Sequence, residues 1–189
     1  MNKEYRSGLF EFAESDEGLV VEGYAAIKER ATTLYKIDGV EYKEVIDSRA
    51  FDNCDMSDVP FKYNHSDDFF VLARTRNKTL ELMVDERGLK IRAKLADVGA
   101  GRDLYELIRR GDIDKMSFAF TVAKDSYDSL THTRRILAID KLYDVSAVDT
   151  PAYQSTNIAI SARDYFTAKE EAERQAAEKR KRLALLAML

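Results

Sequence analysis

Residues 80–95 read Leu-Glu-Leu-Met-Val-Asp-Glu-Arg-Gly-Leu-Lys-Ile-Arg-Ala-Lys-Leu, and they contain the clearest strand pattern of the chain. Apolar side chains occupy every second position in each half, and a polar turn sequence that ends in Gly88 separates the halves. A period of two is the period of a β-strand that buries one face and exposes the other. The stretch therefore predicts an antiparallel hairpin with one wet face.

Strand-like segments also lie on both sides of this hairpin. β-branched and aromatic residues predict three further strands, over residues 19–27, 115–124 and 134–148. Asp38-Gly39 is a typical hairpin turn and predicts a second hairpin over residues 35–45. Residues 47–59 favour a short helix or an irregular connection, and residues 125–133 favour a loop. The chain is therefore predicted to be mainly β.

One short helix interrupts the strand pattern, between Gly101 and Gly111. Leu104, Leu107 and Ile108 fall on one helical face, and a glycine directly after two arginines is typical of a helix end. This helix is short, and both of its ends are marked by glycine. The predicted class is therefore mainly β with some helix (α+β).

Composition limits the classes of function. A chain of 189 residues with 45% hydrophobic residues can bury a core of its own. Its net charge of −4 argues against nucleic-acid binding through bulk positive charge. The single cysteine, Cys54, excludes an internal disulfide, and no apolar run approaches the roughly 20 residues of a membrane span. We expect a soluble, cytosolic protein that binds neither nucleic acid nor membrane.

The pattern changes after residue 160. Residues 161–189 contain 7 Lys and Arg against 5 Asp and Glu, with no Gly or Pro, and their alanine-rich sequence favours a helix. A continuous helix of this length would span about 43 Å, more than so small a domain can cover. We predict a domain over residues 1–160 and a charged helical extension over residues 161–189. Its length and polarity favour a partner-binding or removable tail over a helix docked on its own domain by leucines.

Ser117, His65 and Asp144 are the candidates for chemistry. Ser117 lies in the apolar run Met116-Ser-Phe-Ala-Phe120, where a hydroxyl either satisfies a neighbouring backbone group or is presented as a nucleophile. Acyl transfer by serine also needs an imidazole to take the proton and a third group to orient the ring. His65 and Asp144 can supply these groups, although Asp144 could instead form a salt bridge with Arg134 or Arg135.

Metal and nucleotide chemistry are disfavoured. His65 with Asp67 and Asp68 lacks the paired imidazoles or thiolates of a usual zinc site. The two glycines at 99 and 101 lack the lysine and the spacing of a phosphate-binding loop. His132 lies in a predicted loop and is expected to be structural or exposed. No cofactor is expected.

Six motifs, in this order, resemble the prohead (capsid maturation) serine proteases of tailed phages, which are related to the herpesvirus assemblins. The resemblance covers about residues 18–160. The motifs are Glu22-Gly-Tyr-Ala-Ala, Glu44-Val-Ile-Asp-Ser-Arg-Ala-Phe51, Asn64-His65 with Val71-Leu-Ala-Arg-Thr75, Gly88-Leu89, residues 112–120 around Met116-Ser117-Phe118, and Asp144-Val-Ser-Ala-Val-Asp-Thr-Pro-Ala-Tyr153. The family usually has Gly where Ala73 and Ala119 stand.

This resemblance implies roles for the candidate residues. Ser117 would be the nucleophile, His65 the general base and Asp144 the third member. His132 is the reserve for the third position, because assemblins use a second histidine there. Backbone amides of residues 150–152 would form the oxyanion hole. The implied fold is a closed or nearly closed antiparallel barrel of the assemblin type, with helices outside.

The resemblance also implies a function. The chain would be a serine endopeptidase that cleaves the scaffold protein, the major capsid protein or both, inside the immature capsid in the cytoplasm of the bacterial host. It would also remove its own extension, and the resemblance allows a homo-oligomer. Two alternatives remain open: an inactive scaffold or assembly module of the same fold that acts through the C-terminal helix, and a hydrolase that does not cleave peptides.

Overall fold

The computed structural model describes residues 3–10, 18–149 and 156–186, and in these residues the chain is mainly β with two α-helices. The strands are β1 (Glu4–Phe10), β2 (Val20–Ile27), β3 (Thr32–Ile37), β4 (Val40–Ile46), β5 (Pro60–Tyr63), β6 (Ala73–Arg74), β7 (Leu80–Val84), β8 (Gly88–Lys94), β9 (Lys115–Asp128) and β10 (Thr133–Val148). The helices are α1 (Gly99–Arg109) and α2 (Thr156–Leu186), with a 3₁₀ turn at Thr75–Asn77. The predicted mainly β class is confirmed.

All ten strands belong to one sheet, whose main path is β3-β4-β10-β9-β1-β2-β8-β7. The predicted closed or nearly closed barrel is wrong: across the described ranges, no pairing joins the end strands β3 and β7. The reason lies at β10. One edge of β10 pairs with β9. The opposite edge pairs in parallel with β4 at the start of β10 and with β5 near its end, so the sheet branches there and does not close into a barrel. These two parallel pairings also correct the expectation of a purely antiparallel sheet.

The hairpin over residues 80–95 is confirmed as β7 and β8. Leu80 pairs with Ala93 and Val84 with Leu89, so the alternating apolar residues share one face. Leu80, Leu89 and Ala93 are buried there, whereas Val84, at the end of β7, is 45% exposed. The Asp85 carboxylate accepts two backbone hydrogen bonds in the turn, from the N–H groups of residues 87 and 88. Gly88 is required because a Cβ there would lie 1.9 Å from the carbonyl oxygen of residue 26 on β2. Local turn chemistry and close strand packing thus fix this hairpin.

β1 was missed by the sequence patterns. It lies between β9 and β2, in the middle of the sheet. Its Arg6 is buried in an ion-pair network with Glu4 and Glu44, and Arg134 contacts the same two carboxylates. A strand that buries a guanidinium does not show the apolar alternation that identifies strands in a sequence. The strand therefore depends on its neighbours and on charge pairing.

Two boundaries also differ from the predictions. β9 continues to Asp128, so most of the predicted loop at 125–133 is replaced by a long β9–β10 hairpin whose tight turn follows residue 128. α1 begins at Gly99, two residues earlier than predicted. Gly101 is needed there because a Cβ would meet the carbonyl oxygen of Ala96 at 1.9 Å.

α2 contacts the sheet only near its beginning, as far as its side chains are described. Phe166 is 1% exposed and packs with Ala162 on Leu34, next to the rings of Tyr35 and Tyr42. The side chains from residue 171 to residue 184 are exposed. Among the side chains described, Phe166 therefore docks the helix, whereas Leu183 is 57% exposed. A division into a domain at 1–160 and a functional extension at 161–189 stays a prediction.

α2 is the longest helix that the structure describes. Neither it nor α1, over the residues described, has an apolar stretch long enough to cross a membrane.

Candidate active site

Ser117 lies near the start of β9, between two paired strands. Its backbone partners are residue 7 on β1 and Ser146 on β10. Because side chains alternate along a strand, Ser117 and Ala119 point to one face of the sheet, while Phe118 and Phe120 point into the core and stack 4.8 Å apart. Ser117 is completely buried. Strand pairing on both sides therefore holds the hydroxyl in place.

A β-bulge brings Asp144 to the face of Ser117. Leu142 pairs with Phe120 and Asp144 with Ala119, so β10 has one more residue than β9 in this step. Such an insertion changes which face the following side chains occupy. After it, Asp144 and Ser146 lie on the same face as Ser117, and both are buried. The bulge explains how an acid in an apolar strand reaches the site.

His65 is presented by a tight turn after β5. Asn64 and His65 both have left-handed backbones, with φ of 49° and 54°, and the N–H of Ser66 donates to the carbonyl of Tyr63 at 3.0 Å. Two positive φ values at the centre of a four-residue turn are typical of type I′. Asparagine tolerates this conformation better than most residues. The turn directs the imidazole back over the sheet.

The turn is tied to the end of β10. The N–H of Asn64 donates to the carbonyl of Ala147 at 2.8 Å. The side chain of Asn64 donates to Asp149 Oδ2 at 3.0 Å and accepts from the N–H of Asp149 at 3.2 Å. These three bonds fix the base of the His65 side chain to the strand that carries Asp144.

Ser117, His65 and Asp144 form a continuous chain of contacts. Nε2 of His65 lies 2.7 Å from Oγ of Ser117, and Nδ1 lies 2.5 Å from Oδ1 of Asp144. Both distances are within hydrogen-bond range. Since a carboxylate only accepts, Nδ1 carries the ring proton and Nε2 accepts from the serine hydroxyl. The structure thus brings together the three residues that sequence reasoning singled out.

Tyr5 of β1 packs edge-on against the His65 ring, with the centroids 4.7 Å apart and the planes at 68°. Burial and the nearby charge of Asp144 raise the pKa of Tyr5 above its usual value. Its hydroxyl is therefore neutral at ordinary pH, and the ring restricts His65 from the side of β1. The His65 side chain keeps 17% of its surface exposed.

Ser146 is a site residue that sequence reasoning missed. Its Oγ donates to Asp144 Oδ1 at 2.9 Å and lies 3.2 Å from His65 Nδ1. The signal was present in the sequence, because a serine two residues after Asp144 on a strand points to the same face.

The other candidates lie elsewhere. His132 precedes β10, and its Nδ1 lies 3.1 Å from Glu170 Oε1 of α2 and 3.2 Å from the hydroxyl of Tyr127. β10 is 16 residues long, roughly 50 Å of strand, so His132 and the site lie toward its opposite ends. Residues 150–152, predicted to form the oxyanion hole, lie outside the described residues.

The predicted salt-bridge alternative for Asp144 is wrong. Arg134 pairs with Glu4 and Asp125, and Arg135 pairs with Glu29 and Asp47. Both arginines therefore have carboxylate partners away from the site, and Asp144 faces His65 instead.

The neighbouring acids do not form a metal site. Asp67 forms an ion pair with Lys62, and the hydrogen bond from this ammonium lowers the pKa of Asp67. Across residues 3–10, 18–149 and 156–186, no group of three His, Cys, Asp or Glu side chains is placed to hold a metal ion. The chemistry that this site can support is proton transfer between a serine hydroxyl and an imidazole held by a carboxylate.

Comparisons with known proteins identify the family. The sequence profile of the caudovirus prohead serine proteases matches residues 9–171. The prohead protease of Enterobacteria phage HK97 is 34% identical over 92 residues, which are 44% of this chain and 41% of that protein. The structure of the bacteriophage T4 capsid assembly protease aligns with a TM-score of 0.44 and 13% identity, over 80% of this chain and 100% of that one. The family match confirms the resemblance seen in the six motifs: the chain belongs to the caudovirus prohead serine protease family.

Proposed function

We propose that this chain is a serine endopeptidase that cleaves the major capsid protein, the scaffold protein or both in the immature capsid. The observation that carries the proposal is the position of the His65 ring, 2.7 Å from Ser117 Oγ on one side and 2.5 Å from Asp144 Oδ1 on the other. Membership in a family of prohead serine proteases supports the same reaction.

In the proposed reaction, Oγ of Ser117 attacks the carbonyl carbon of the scissile peptide while His65 Nε2 takes the hydroxyl proton. Asp144 balances the charge of the resulting imidazolium. The tetrahedral intermediate then collapses, the C–N bond breaks, and His65 gives the proton to the leaving amine. Water attacks the acyl-enzyme, again with His65 as base, and releases the new carboxyl terminus with Ser117 restored.

Access to Ser117 is part of this proposal. Ser117 is completely buried, and Asp144 is 4% exposed. A peptide carbonyl can therefore reach Oγ only after neighbouring atoms move aside. We expect substrate binding to open the face of the sheet that carries Ser117 and to close it again around the dry site.

The wider setting is proposed on the same basis. The enzyme would act in the cytoplasm of the bacterial host, inside the immature capsid, and would also cut its own chain to release the extension at 161–189. The side chains of α2 from residue 171 to residue 184 are exposed, which supports a segment that another protein or the protease itself can reach. A homo-oligomer is allowed by this proposal but is not required by it.

A covalent probe and the protein substrates test the nucleophile together. The full chain is treated with a fluorophosphonate and is separately co-expressed with the capsid and scaffold proteins of its phage. We expect labelling at Ser117 and substrate cleavage, both lost in Ser117→Ala. The matched control is Ser126→Ala, which changes an exposed serine of the same strand. Unchanged processing by Ser117→Ala would overturn the nucleophile assignment.

A second candidate function is favoured by one observation, the exposed distal half of α2. In this alternative the chain is an inactive assembly module that binds the scaffold through that helix. Truncation after residue 170 keeps the Phe166 contact and removes the exposed half. Loss of co-assembly without any labelling of Ser117 in the full chain would favour this function over the protease.

A further inference from the structure

We infer that Ser146 is a positioning residue that keeps His65 and Asp144 aligned for proton transfer. Its Oγ donates to Asp144 Oδ1 at 2.9 Å and lies 3.2 Å from His65 Nδ1, so it contacts both helpers of the nucleophile. This inference rests on the proposed serine protease function and deepens it. Ser146 does not contact Ser117 Oγ through a hydrogen bond in the described part of the chain, so its action is indirect.

The protons of the site fit one arrangement. The Ser117 hydroxyl donates to His65 Nε2, and Nδ1–H donates mainly to Asp144 Oδ1. The Ser146 hydroxyl gives its single proton to the same Oδ1, which leaves its oxygen as a second acceptor near Nδ1–H. Every donor in the site then has an acceptor.

The backbone explains why this hydroxyl is available. Ser146 is paired with Ser117 on β9 and with Lys62 on β5, so strands flank it on both sides. Its peptide groups therefore lie within the sheet and do not need the side chain. Ser146 is completely buried, and the hydrogen bonds of its hydroxyl within the described residues go to His65 and Asp144 alone. A serine in this position serves the site and not a turn or a cap.

The physical effect is on carboxylate rotation. The terminal torsion of an aspartate side chain is broad, so backbone position alone does not fix how the plane of the carboxylate is rotated relative to the His65 ring. A second donor on Oδ1 favours the rotation in which this oxygen stays 2.5 Å from Nδ1. The carboxylate in turn holds the ring with Nε2 toward Ser117. Loss of the hydroxyl therefore loosens the base without removing any reacting group.

The first test measures reaction with a fluorophosphonate as a function of its concentration. In this reaction Oγ of Ser117 attacks phosphorus, the P–F bond breaks, fluoride leaves, and the hydroxyl proton passes to His65. The limiting rate is the rate of Ser117 labelling at saturating probe concentration. For Ser146→Ala we expect this rate to fall about 10- to 100-fold. The half-saturating probe concentration should change less than twofold, because Ser146 positions the base and does not bind the probe.

Two variants separate positioning from folding. Ser146→Thr keeps the hydroxyl, and we expect it to retain most of the limiting rate. Thr121→Val is the matched control, because Thr121 is a buried hydroxyl of β9 that donates to Asp140 Oδ2 at 3.2 Å outside the site. It should lower the unfolding midpoint about as much as Ser146→Ala and leave the limiting rate unchanged. If Thr121→Val lowered the limiting rate as much as Ser146→Ala, the inference would be overturned.

Nitrogen NMR gives a readout that does not need activity. The chain has 2 histidines, so the imidazole region of a ¹⁵N spectrum contains two rings. We expect His65 to be almost entirely the Nδ1–H tautomer in the native chain and to become a mixture of tautomers in Ser146→Ala, with His132 unchanged. A native His65 spectrum in Ser146→Ala, together with a native limiting rate, contradicts the role of Ser146. If the probe never labels native Ser117, the proposed function fails, whereas the tautomer measurement still decides on Ser146.

Discussion

His65 and His132 have the same local backbone and the same kind of partner, yet they lie in different parts of the molecule. Both have a left-handed backbone, with φ of 54° and 47°, and in both the Nδ1 atom contacts a carboxylate. Asp144 lies inside the sheet, in a strand paired on both sides, whereas Glu170 lies on α2, a helix whose side chains are exposed from residue 171 to residue 184. We call the contact region of His132, Glu170, Tyr42, Tyr127 and Phe166 the helix clasp.

The comparison shows that a histidine–carboxylate pair does not by itself indicate catalysis. The distinguishing contact is on the other ring nitrogen, where His65 Nε2 meets a serine hydroxyl at 2.7 Å. In the helix clasp, Glu170 Oε1 is shared by His132, Tyr127 and Tyr42 at 3.1 to 3.3 Å. That arrangement attaches a helix to the sheet. We therefore expect changes at the two carboxylates to affect different properties.

The largest expected effect comes from exchanging each carboxylate for its amide. Asp144→Asn should lower the rate of Ser117 labelling about 10³- to 10⁴-fold, because an amide can donate to Nδ1 and hold the wrong tautomer. Glu170→Gln should leave that rate within about twofold and cost about 1 kcal/mol of stability, the usual size of one hydrogen-bond contribution. Labelling kinetics and urea unfolding measure the two properties in the same samples.

The same two amide variants can also show that the two histidine sites share a role. If Glu170→Gln slowed labelling as much as Asp144→Asn, the helix clasp would belong to the active machinery. His132 would then regain its place as a third-member candidate. Equal labelling by Asp144→Asn and the native chain would remove Asp144 from the mechanism.

A smaller effect is expected from the aromatic residue that docks α2. Phe166 is 1% exposed and contacts the rings of Tyr35, Tyr42 and Tyr127 at centroid distances of 5.1 to 5.8 Å. Phe166→Ala should cost about 3 kcal/mol of unfolding free energy, since it empties a buried aromatic site. The fraction that remains folded should label at the native rate.

Leu183→Ala is the matched control for this prediction, because Leu183 lies on the same helix and is 57% exposed. Its unfolding free energy should stay within about 0.5 kcal/mol of the native value. A loss in Leu183→Ala as large as that in Phe166→Ala would mean that the distal half of α2 also contacts the domain. If folded Phe166→Ala labelled Ser117 more slowly than the native chain, the helix clasp would have to influence the active site.

The sequence predicted the parts of this molecule that depend on local pattern. The hairpin over residues 80–95 follows from alternation and turn chemistry, and Ser117 stood out because a hydroxyl in an apolar strand needs a reason. His65 and Asp144 followed from the groups that acyl transfer by a serine needs. The family resemblance then ordered these residues into one hypothesis, and the fold places them within hydrogen-bond distance of each other.

The missed features depend on pairing between distant segments. β1 has no apolar alternation that a sequence pattern could detect. It buries Arg6, and this burial depends on the ion pair with Glu44, 38 residues away. The branching at β10 depends on two parallel partners, which no local pattern encodes. Ser146 acquires its contacts only when the bulge after Leu142 and the turn at His65 are both in place. The sequence patterns therefore failed where the structure depends on which strands pair and in which register, and not where it depends on the local preferences of residues.

The smallest expected effect is an alkaline weakening of the helix clasp. Burial, the hydrogen bond to Glu170 and the charge of this carboxylate raise the pKa of Tyr127 above its usual value of about 10. Because the pKa of Tyr127 is higher in the folded chain than in the unfolded chain, its neutral hydroxyl stabilises the folded state. This contribution is complete below pH 10 and is lost as the pH rises through the pKa of the folded state. Urea unfolding between pH 8 and pH 11 should therefore show falling stability at the top of this range, with a shallower fall in Tyr127→Phe. Tyr143→Phe, in β10 but outside the clasp, is the control, and an equally shallow fall in that variant would show that the alkaline loss does not arise at the clasp.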